Sequence, residues 1–376
     1  MTNTRGVFRL NIINEEKIPL NDWVNLDDVW HGNTRFSDGQ PKVQLKDKGY
    51  VTSGYASPHP GVRTYVTTLS TDTTSYVPGA NMPSVRQNAG TTSSLTVGYL
   101  AGGGPHNVNG AFKFPYSNNS CTFLPGANIV SRSELCGNGN DDKGYYSGGV
   151  GPPPYNKYSY TYRLTYSNDS AGSVPGAALT QARRTVAQNS LSNLTHGHIS
   201  GGDDASNGAL SSTDRLTFST ETTAAMPGAN LISSVPGYNR LVAFGNSSSG
   251  YAVVASGTVM KIVYSSGTFA LNPSAATGTE RSQGTGFSGN LGGYMTGGET
   301  PATSPARSTN FQRLNYSTDT TVTLPSSANL GGFKYSGANG FSAFDTGNEN
   351  REPPTPTPSP SPPAHGLVHN ANPVFA

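Results

Sequence analysis

The phrase "SYVPGANMP" at residues 75–83 returns as "TFLPGANIV" at 122–130, "GSVPGAALT" at 172–180 and "AAMPGANLI" at 224–232. "LNPSAATG" and "LPSSANLG" are weaker copies further along. A phrase that recurs at intervals of roughly 50 residues commits most of a chain to one repeated unit. Its register is set by an aromatic residue or Leu that precedes a Ser: Leu69, Tyr116, Tyr166, Phe218, Tyr264 and Tyr316, spaced 47, 50, 52, 46 and 52 residues apart. Four residues after each anchor stands a Ser or Thr, and nine after stands a Pro: Pro78, Pro125, Pro175, Pro227, Pro273 and Pro325. Agreement at fixed offsets through six copies excludes compositional drift.

The residues around each anchor spell out a β-hairpin. Two positions upstream is a large apolar residue (Phe114, Leu164, Leu216, Ile262, Leu314), with Thr67 the exception. Three upstream is basic in five of six copies: Lys113, Arg163, Arg215, Lys261 and Arg313. Such period-two alternation describes a half-buried strand. Polar tetrads such as "STDT", "SNDS" and "STET" follow, and their short side chains suit a tight turn. The return strand must stop at the Pro, which has no N–H for a ladder. In this reading the Gly of "VPGAN" reverses the chain, and its small Ala and Asn let the next unit begin.

A second marker lies between the anchors: "GYVTSG" (49–54), "GYLAGG" (98–103), "GYYSGG" (144–149), "GHISGG" (197–202), "GYAVVASG" (250–257) and "GYMTGG" (293–298). Each reads as a buried strand closed by glycine where close approach or positive φ is wanted. A further strand fits ahead of it, in stretches such as "VRQNAGTTSS", often with an Arg seven or eight residues past the Pro (Arg86, Arg132, Arg183, Arg281). Four short strands per unit at this period predict an all-β, kelch-like β-propeller of four-stranded blades over residues 49–347. A parallel β-helix has far shorter coils, and no linkers separate the units as independent domains would require. Six blades are expected, or seven if "GFSAFDTG" (340–347) is a decayed seventh marker. The repeat begins in mid-blade, so a strand near "FKYSGANG" (333–340) is expected to close the ring.

Composition agrees with this and narrows the function. With Gly at 46 and Pro at 27, helices are disfavoured. Tyr at 19 and Phe at 14 supply core that a disordered chain lacks. A net charge of +2 without basic runs gives no ground for nucleic-acid binding. Cys121 and Cys136 make neither a disulfide framework nor a metal motif and are expected as free thiols of a reducing compartment. No apolar run approaches the length of a membrane span, and the N-terminus lacks the apolar core of a secretory signal, so a soluble protein without membrane insertion is expected.

The flanks differ from the ring. Residues 1–48 hold 14 of the 46 charged residues and both tryptophans, and read as a docking or oligomerisation arm with Phe8, Leu10, Trp23 and Trp30 as its contact residues. The alternative is a plug across one face of the ring. Residues 348–376 contain "PPTPTPSPSPP", an extended polyproline II spacer, and then an apolar end with Phe375 as a candidate tether. Catalytic signals are weak. His196 and His198 project to one side of a strand, but no further ligands are suggested, and His198 reads as a variant of the Tyr in the other copies. The loops "NGNDDKG" and "GGDDASNG" do not fit a calcium loop. A copper oxidase would need converging His, Tyr and Cys ligands, and a sialidase would show Trp boxes, whereas no Trp follows Trp30. No enzyme activity, cofactor or metal is expected.

With arm and repeat both read, the chain resembles the kelch-like structural proteins encoded by bacteriophages of marine cyanobacteria. "TRGVFRL" and "DDVW" are similar to the opening of those proteins, and "GYLAGG", "YRLTYSNDS" and "DRLTFSTET" to their repeats. The resemblance spans residues 4–346, and the opening is its more specific part. It implies a virion protein of tail, fibre or baseplate, assembled in the host cytoplasm and present in many copies on a symmetric particle. The arm, and with it the tail, would bind other virion proteins, and the propeller would meet a host-surface glycan or protein. A head or tail decoration protein that recognises no host is the alternative, and a carbohydrate-active enzyme the third reading. The resemblance transfers no catalytic residue, and the Pro-rich tail departs from its pattern.

Overall fold

A computed structural model describes residues 47–347, apart from 58–60, 106–107, 185–190, 207, 232–240, 255, 278–281, 301–305, 308 and 331–333. It shows a six-bladed β-propeller. Blade 2 is formed by Gly90–Ser93, Val97–Ala101, Ala111–Pro115 and Thr122–Leu124, an antiparallel meander running from the axis outward. Blade 3 (Cys136–Gly139, Lys143–Ser147, Thr161–Thr165, Ser170–Ser173) and blade 4 (Leu191–Ser192, His196–Ser200, Thr213–Thr217, Thr222–Ala225) repeat the pattern. So do blade 5 (Val242–Gly245, Ser249–Val253, Val259–Val263, Thr268–Leu271) and blade 6 (Ser282–Ser288, Gly292–Thr300, Phe311–Asn315, Thr320–Thr323). Blade 1 combines Lys48–Thr52, Thr64–Thr68 and Thr73–Tyr76 with an innermost strand from the other end of the propeller, Asn339–Ser342. Innermost strands of successive blades touch all the way round, so this strand closes the ring.

That closure settles the blade number at six and corrects two expectations. The closing strand lies in "NGFS", just beyond most of the stretch expected for it, and "GFSAF" is not a seventh Gly-Tyr strand. Gly340 imitates that marker because a Cβ there would stand 2.4 Å from the Gly286 carbonyl oxygen, in the close packing at the axis.

The two sequence markers exist because they touch each other across blade boundaries. The aromatic of each "GY" strand stacks on the anchor aromatic of the next blade: Tyr50 on Tyr116 at 5.1 Å between centroids, Tyr99 on Tyr166 at 4.4 Å, Tyr145 on Phe218 at 5.2 Å, His198 on Tyr264 at 4.9 Å and Tyr251 on Tyr316 at 5.5 Å. Only the boundary from blade 6 to blade 1 differs, where Tyr294 meets Leu69 and donates to its carbonyl. The glycine beside each aromatic admits a side chain from the innermost strand of the preceding blade. A Cβ at Gly293 would lie 1.8 Å from Phe244, at Gly49 2.0 Å from Phe287 and at Gly98 2.1 Å from Phe341.

The Pro-Gly-Ala phrase is not a hairpin reversal. In four of the blades with a single 3-10 turn the Pro sits at its first position: Pro78–Ala80, Pro175–Ala177, Pro227–Ala229 and Pro273–Ala275. There its fixed φ is an asset and its missing N–H costs nothing. In blade 1's copy, Asn81 N–H returns to the Pro78 carbonyl. Gly79 meets nothing closer than 3.4 Å, which explains why Ser replaces it later. The demanding position is the Ala: Ala80, Ala127, Ala177, Ala229, Ala275 and Ala328 are all fully buried. Thr64, Thr161 and Thr213 each donate to the Ala carbonyl at 2.6 Å, tying the turn to the third strand of its own blade.

Two faces result. The turn face carries the tight connections between first and second and between third and fourth strands. The loop face carries the longer second-to-third loops and the crossings between blades. The described chain enters on the turn face, where Asp47 accepts from Ser70 N–H at 2.7 Å and Ser70 Oγ at 2.6 Å. It also leaves there. Residues 343–347 run from the closing strand across the axis, Asp345 accepting from the N–H groups of Ser288 and Ser342 at 2.7 Å. Thr346 reaches Asp141 of blade 3 at 3.4 Å, and Gly347 packs against Asn193 and Asn246 of blades 4 and 5. Among the described residues, the segment after the closing strand lies across this face; residues 1–46, with Phe8, Leu10, Trp23 and Trp30, and residues 348–376, with Phe375, lie outside the described residues.

Candidate functional site

On the turn face the recurring basic residue has a structural use. The third residue of each third-to-fourth turn sits at positive φ: Asp72, Asn119, Asp169, Glu221, Gly267 and Asp319. Where it is acidic, it receives the basic residue of the preceding blade, and at Asp72, Glu221 and Asp319 also the Gly-Tyr hydroxyl. Arg163 Nη1 lies 2.9 Å from Glu221, with Lys143 at 3.0 Å and the Tyr145 hydroxyl at 3.0 Å. Asp319 takes Lys261 and Tyr251 at 2.7 Å each, Asp72 takes Arg313 at 2.5 Å and Tyr294 at 3.0 Å, and Asp169 pairs with Lys113. Burial pushes the tyrosine pKa values up, and desolvation alone would raise Glu221 and Asp319 as well. Their cationic and hydroxyl partners outweigh it and hold both carboxyls below the usual range. These groups mortar the blades together.

The loop face differs from blade to blade. Its framework is the Gly-Gly pair together with the recurrent Arg. In Gly102-Gly103, Gly148-Gly149 and Gly201-Gly202 both glycines have positive φ, a region side chains rarely adopt. Gly103 N–H donates to the Arg132 carbonyl at 2.9 Å, and Gly149 N–H to that of Arg183 at 2.8 Å. The fully buried Arg132 guanidinium then donates to the carbonyls of Gly148 (2.6 Å), Tyr160 (3.0 Å) and Tyr146 (3.1 Å). Arg183 does the same with Gly201 and Ser212. Desolvation lowers the Arg132 pKa to about 10, so it remains a cation at neutral pH, held by carbonyl dipoles. Arg281 lies outside the described residues.

On this framework blades 2, 3 and 4 build a cavity of about 280 Å³. Gln87, Asn88 and Gly104 line it from blade 2's side, Glu134, Tyr155 and Lys157 from blade 3's, and Arg184 from the crossing into blade 4. Its charged groups form one cluster. Arg184 Nε is 2.7 Å from Asp203 and 3.3 Å from Glu134, and Lys157 Nζ is 3.4 Å from Asp203 while also donating to the Asp204 carbonyl. Desolvation would lower the Arg184 pKa, but the two carboxylates raise it overall. One Asp203 carboxylate oxygen, buried, makes no hydrogen bond. Tyr155 stands at the cavity with 63% of its surface exposed and φ of +65°. Two cations and two carboxylates that neutralise each other, beside an open aromatic ring, make a recognition surface for a polar ligand with little net charge.

Sequence reasoning did not find these residues. They fall in loops where the repeat is silent, and the only trace is departure from it: a doubled Arg183-Arg184 and the run "PPPY" before Asn156. His196 and His198 do neighbour one another, their rings 6.5 Å apart, but among the described residues no group of three or more His, Cys, Asp or Glu side chains is placed to hold a metal ion. In each acidic loop one side chain is used on the loop's own backbone. Asn140 caps Asp142 and Lys143, and Asp204 caps Ser206 and Gly208. Neither Cys121 nor Cys136 forms a disulfide, and burial pushes the Cys121 thiol up to about 12.

Fold and site together define the class: a six-bladed propeller whose flanking segments join one face and whose other face carries an irregular polar cavity. The solved structure of YjhT is similar, with 13% sequence identity and a TM-score of 0.58 over 74% of this chain and 95% of that one, a likeness that concerns the fold. No family model matches the chain. No curated protein sequence matches it.

Proposed function

We propose that the protein is a non-enzymatic display propeller of a phage particle, held by the segments flanking the ring and offering its loop face to a host-surface glycan or protein. One observation carries this reading: the described chain enters at Asp47 and leaves at Gly347 on the same face, which frees the opposite face, where the blades differ most. Attachment through the turn face is compatible with its regular, internally satisfied ion pairs. Binding at the loop face is favoured by Tyr155 beside a neutralised charge cluster, since an aromatic platform with fixed donors and acceptors suits a sugar ring or a polar loop. The virion assignment follows the resemblance of the opening and repeats.

The test is binding of the full chain to host cells, compared with the Tyr155→Asn variant. Asn tolerates positive φ, so this change removes the ring without straining the loop. Saturable binding weakened by about tenfold in the variant supports the reading, an aromatic anchor typically contributing 1–2 kcal/mol or more. Binding that the variant leaves unchanged would move the contact off this cavity, and absence of the protein from purified particles would overturn the virion role.

A further inference from the structure

Five of the six blade boundaries provide a template for reading the sixth. Between blades 3 and 4 the carboxylate of Glu221 is held by Arg163, Lys143 and the hydroxyl of Tyr145. The boundary between blades 4 and 5 has polar residues at the equivalent positions: Arg215 stands where Arg163 does, His196 where Lys143 does, and His198 where Tyr145 does. Opposite them, where Asp72, Asn119, Asp169, Glu221 and Asp319 stand in the other blades, there is Gly267. The backbone keeps the left-handed turn, with φ of +64°, but offers no side chain.

Among the described residues Arg215 makes no ion pair or hydrogen bond; its buried Nε lacks an acceptor as that of Arg163 does, and what it misses relative to the template is the carboxylate that meets Arg163 at Nη1. His196 uses Nδ1 on Thr195 Oγ1 at 2.8 Å, and among the described residues its Nε2 makes no hydrogen bond; His198 donates Nδ1–H to the Leu191 carbonyl at 3.1 Å, which leaves Nε2 of the neutral ring an acceptor. The three face one another closely enough that the charge of Arg215 depresses the basicity of both imidazoles, behind the larger effect of desolvation. Tyr264, the remaining neighbour, is stacked on His198 and sends its hydroxyl to the Ser192 carbonyl at 3.4 Å. Wherever another boundary carries a basic residue in this column, a carboxylate receives it: Asp169 takes Lys113, Glu221 takes Arg163, Asp319 takes Lys261 and Asp72 takes Arg313.

We infer that the boundary between blades 4 and 5 is a binding site for a carboxylate, supplied from outside the ring by a small organic acid or by an acidic side chain of a partner polypeptide. The carboxylate takes the place of the missing turn residue. It accepts from the Arg215 guanidinium, with the imidazole of His196 at the second donor position. The flexible end of Met226, which lies 2.7 Å from where a Cβ at Gly267 would be, forms the apolar side of the entry.

The probes are acetate and a short capped peptide containing one Glu, each titrated into the full chain at constant ionic strength, with the ring protons of His196 and His198 followed by NMR. Saturable shifts of both imidazoles are expected. Arg215→Gln should weaken binding by about tenfold, the usual contribution of a charged hydrogen bond. Gly267→Asp should supply the carboxylate in cis, reproduce the shifted resonances without ligand and abolish the response. Aspartate adopts this φ at three other boundaries, so the variant is expected to fold. A peptide that binds at least tenfold more tightly than acetate assigns a polypeptide source, and equal affinities assign the free acid. No shift in the wild-type chain, or a response of unchanged affinity in Arg215→Gln, overturns the proposal.

Discussion

Blades 5, 6 and 1 and blades 2, 3 and 4 share one backbone plan but fill the same niche differently. Against the Gly of the following blade, the first group presses Phe244, Phe287 and Phe341; the second presses Thr92, Asn138 and Leu191. The phenylalanines are fully buried and work by apolar area and ring packing. Thr92 and Asn138 work by hydrogen bonds instead, Thr92 Oγ1 to the Tyr146 hydroxyl at 3.0 Å and Asn138 Oδ1 from Ser192 at 3.0 Å. The loop-face cavity lies over the second group, and the closing strand belongs to the first. Ring closure must hold the two ends of a long chain together, and non-directional burial does that without demanding exact partners. A recognition surface gains from fixed polar geometry, which hydrogen-bonded blades can transmit.

Phe341→Ala probes the apolar half most severely. Truncation removes a side chain stacked 5.2 Å from Tyr50 and wedged on Gly98, in the strand that closes the ring. A loss of about 4 kcal/mol in chemical denaturation is expected, typical of a Phe deleted from a packed core. A loss near 1 kcal/mol would mean that closure does not depend on this wedge.

The polar half should instead betray itself through pH. Desolvation lowers the pKa of His198, in blade 4, to about 4, with smaller contributions from His196 and Arg215 opposing the Leu191 hydrogen bond. The unfolded chain takes up this proton near pH 6.5, the folded chain only near 4. Its contribution is therefore complete above pH 6.5 and is lost as pH falls toward 4, by on the order of 3 kcal/mol. Asp345 acts in the opposite sense. Burial raises its pKa to about 7 against the hydrogen bonds from Ser288 and Ser342, so its contribution declines as pH rises from about 4 to 7. The measurement that separates them is the stability difference between the wild-type chain and His198→Phe, which keeps the stack on Tyr264. That difference should change between pH 6.5 and 4 and be flat above 6.5; a flat difference throughout would show that the imidazole titrates normally.

The same contrast decides what could be read from the sequence. The anchor and the Gly-Tyr marker were legible because the stacking that joins them recurs at five of the six blade boundaries, so both leave a periodic trace. Arg163 and its equivalents were visible as a basic column, yet their acidic partners looked like ordinary turn residues, because the pairing crosses to the next blade and leaves no local pattern. The buried Ala of "PGA" passed for a spacer, and "GFSAF" for a repeat strand, since close backbone approach selects glycine at Gly340 as it does in the markers. Glu134, Lys157 and Arg184 were illegible for a stronger reason. Irregular loops from three blades bring them together, and nothing in their spacing records that meeting.

The smallest expected effect tests whether hydrogen bonds truly replace burial in the polar half. Thr92→Val keeps the shape of the side chain, which is almost fully buried, but removes the partner of the Tyr146 hydroxyl. The cost should be about 1–2 kcal/mol, the penalty of leaving one buried hydroxyl unsatisfied. Tyr146→Phe in the same chain then removes the stranded group. If the pair works by mutual satisfaction, the double variant should recover most of the loss, leaving a coupling energy of about 1 kcal/mol in a double-mutant cycle. Strictly additive losses would mean that Thr92 acts by filling space against Gly144, as the phenylalanines do, and that the two halves of the ring differ in composition without differing in mechanism.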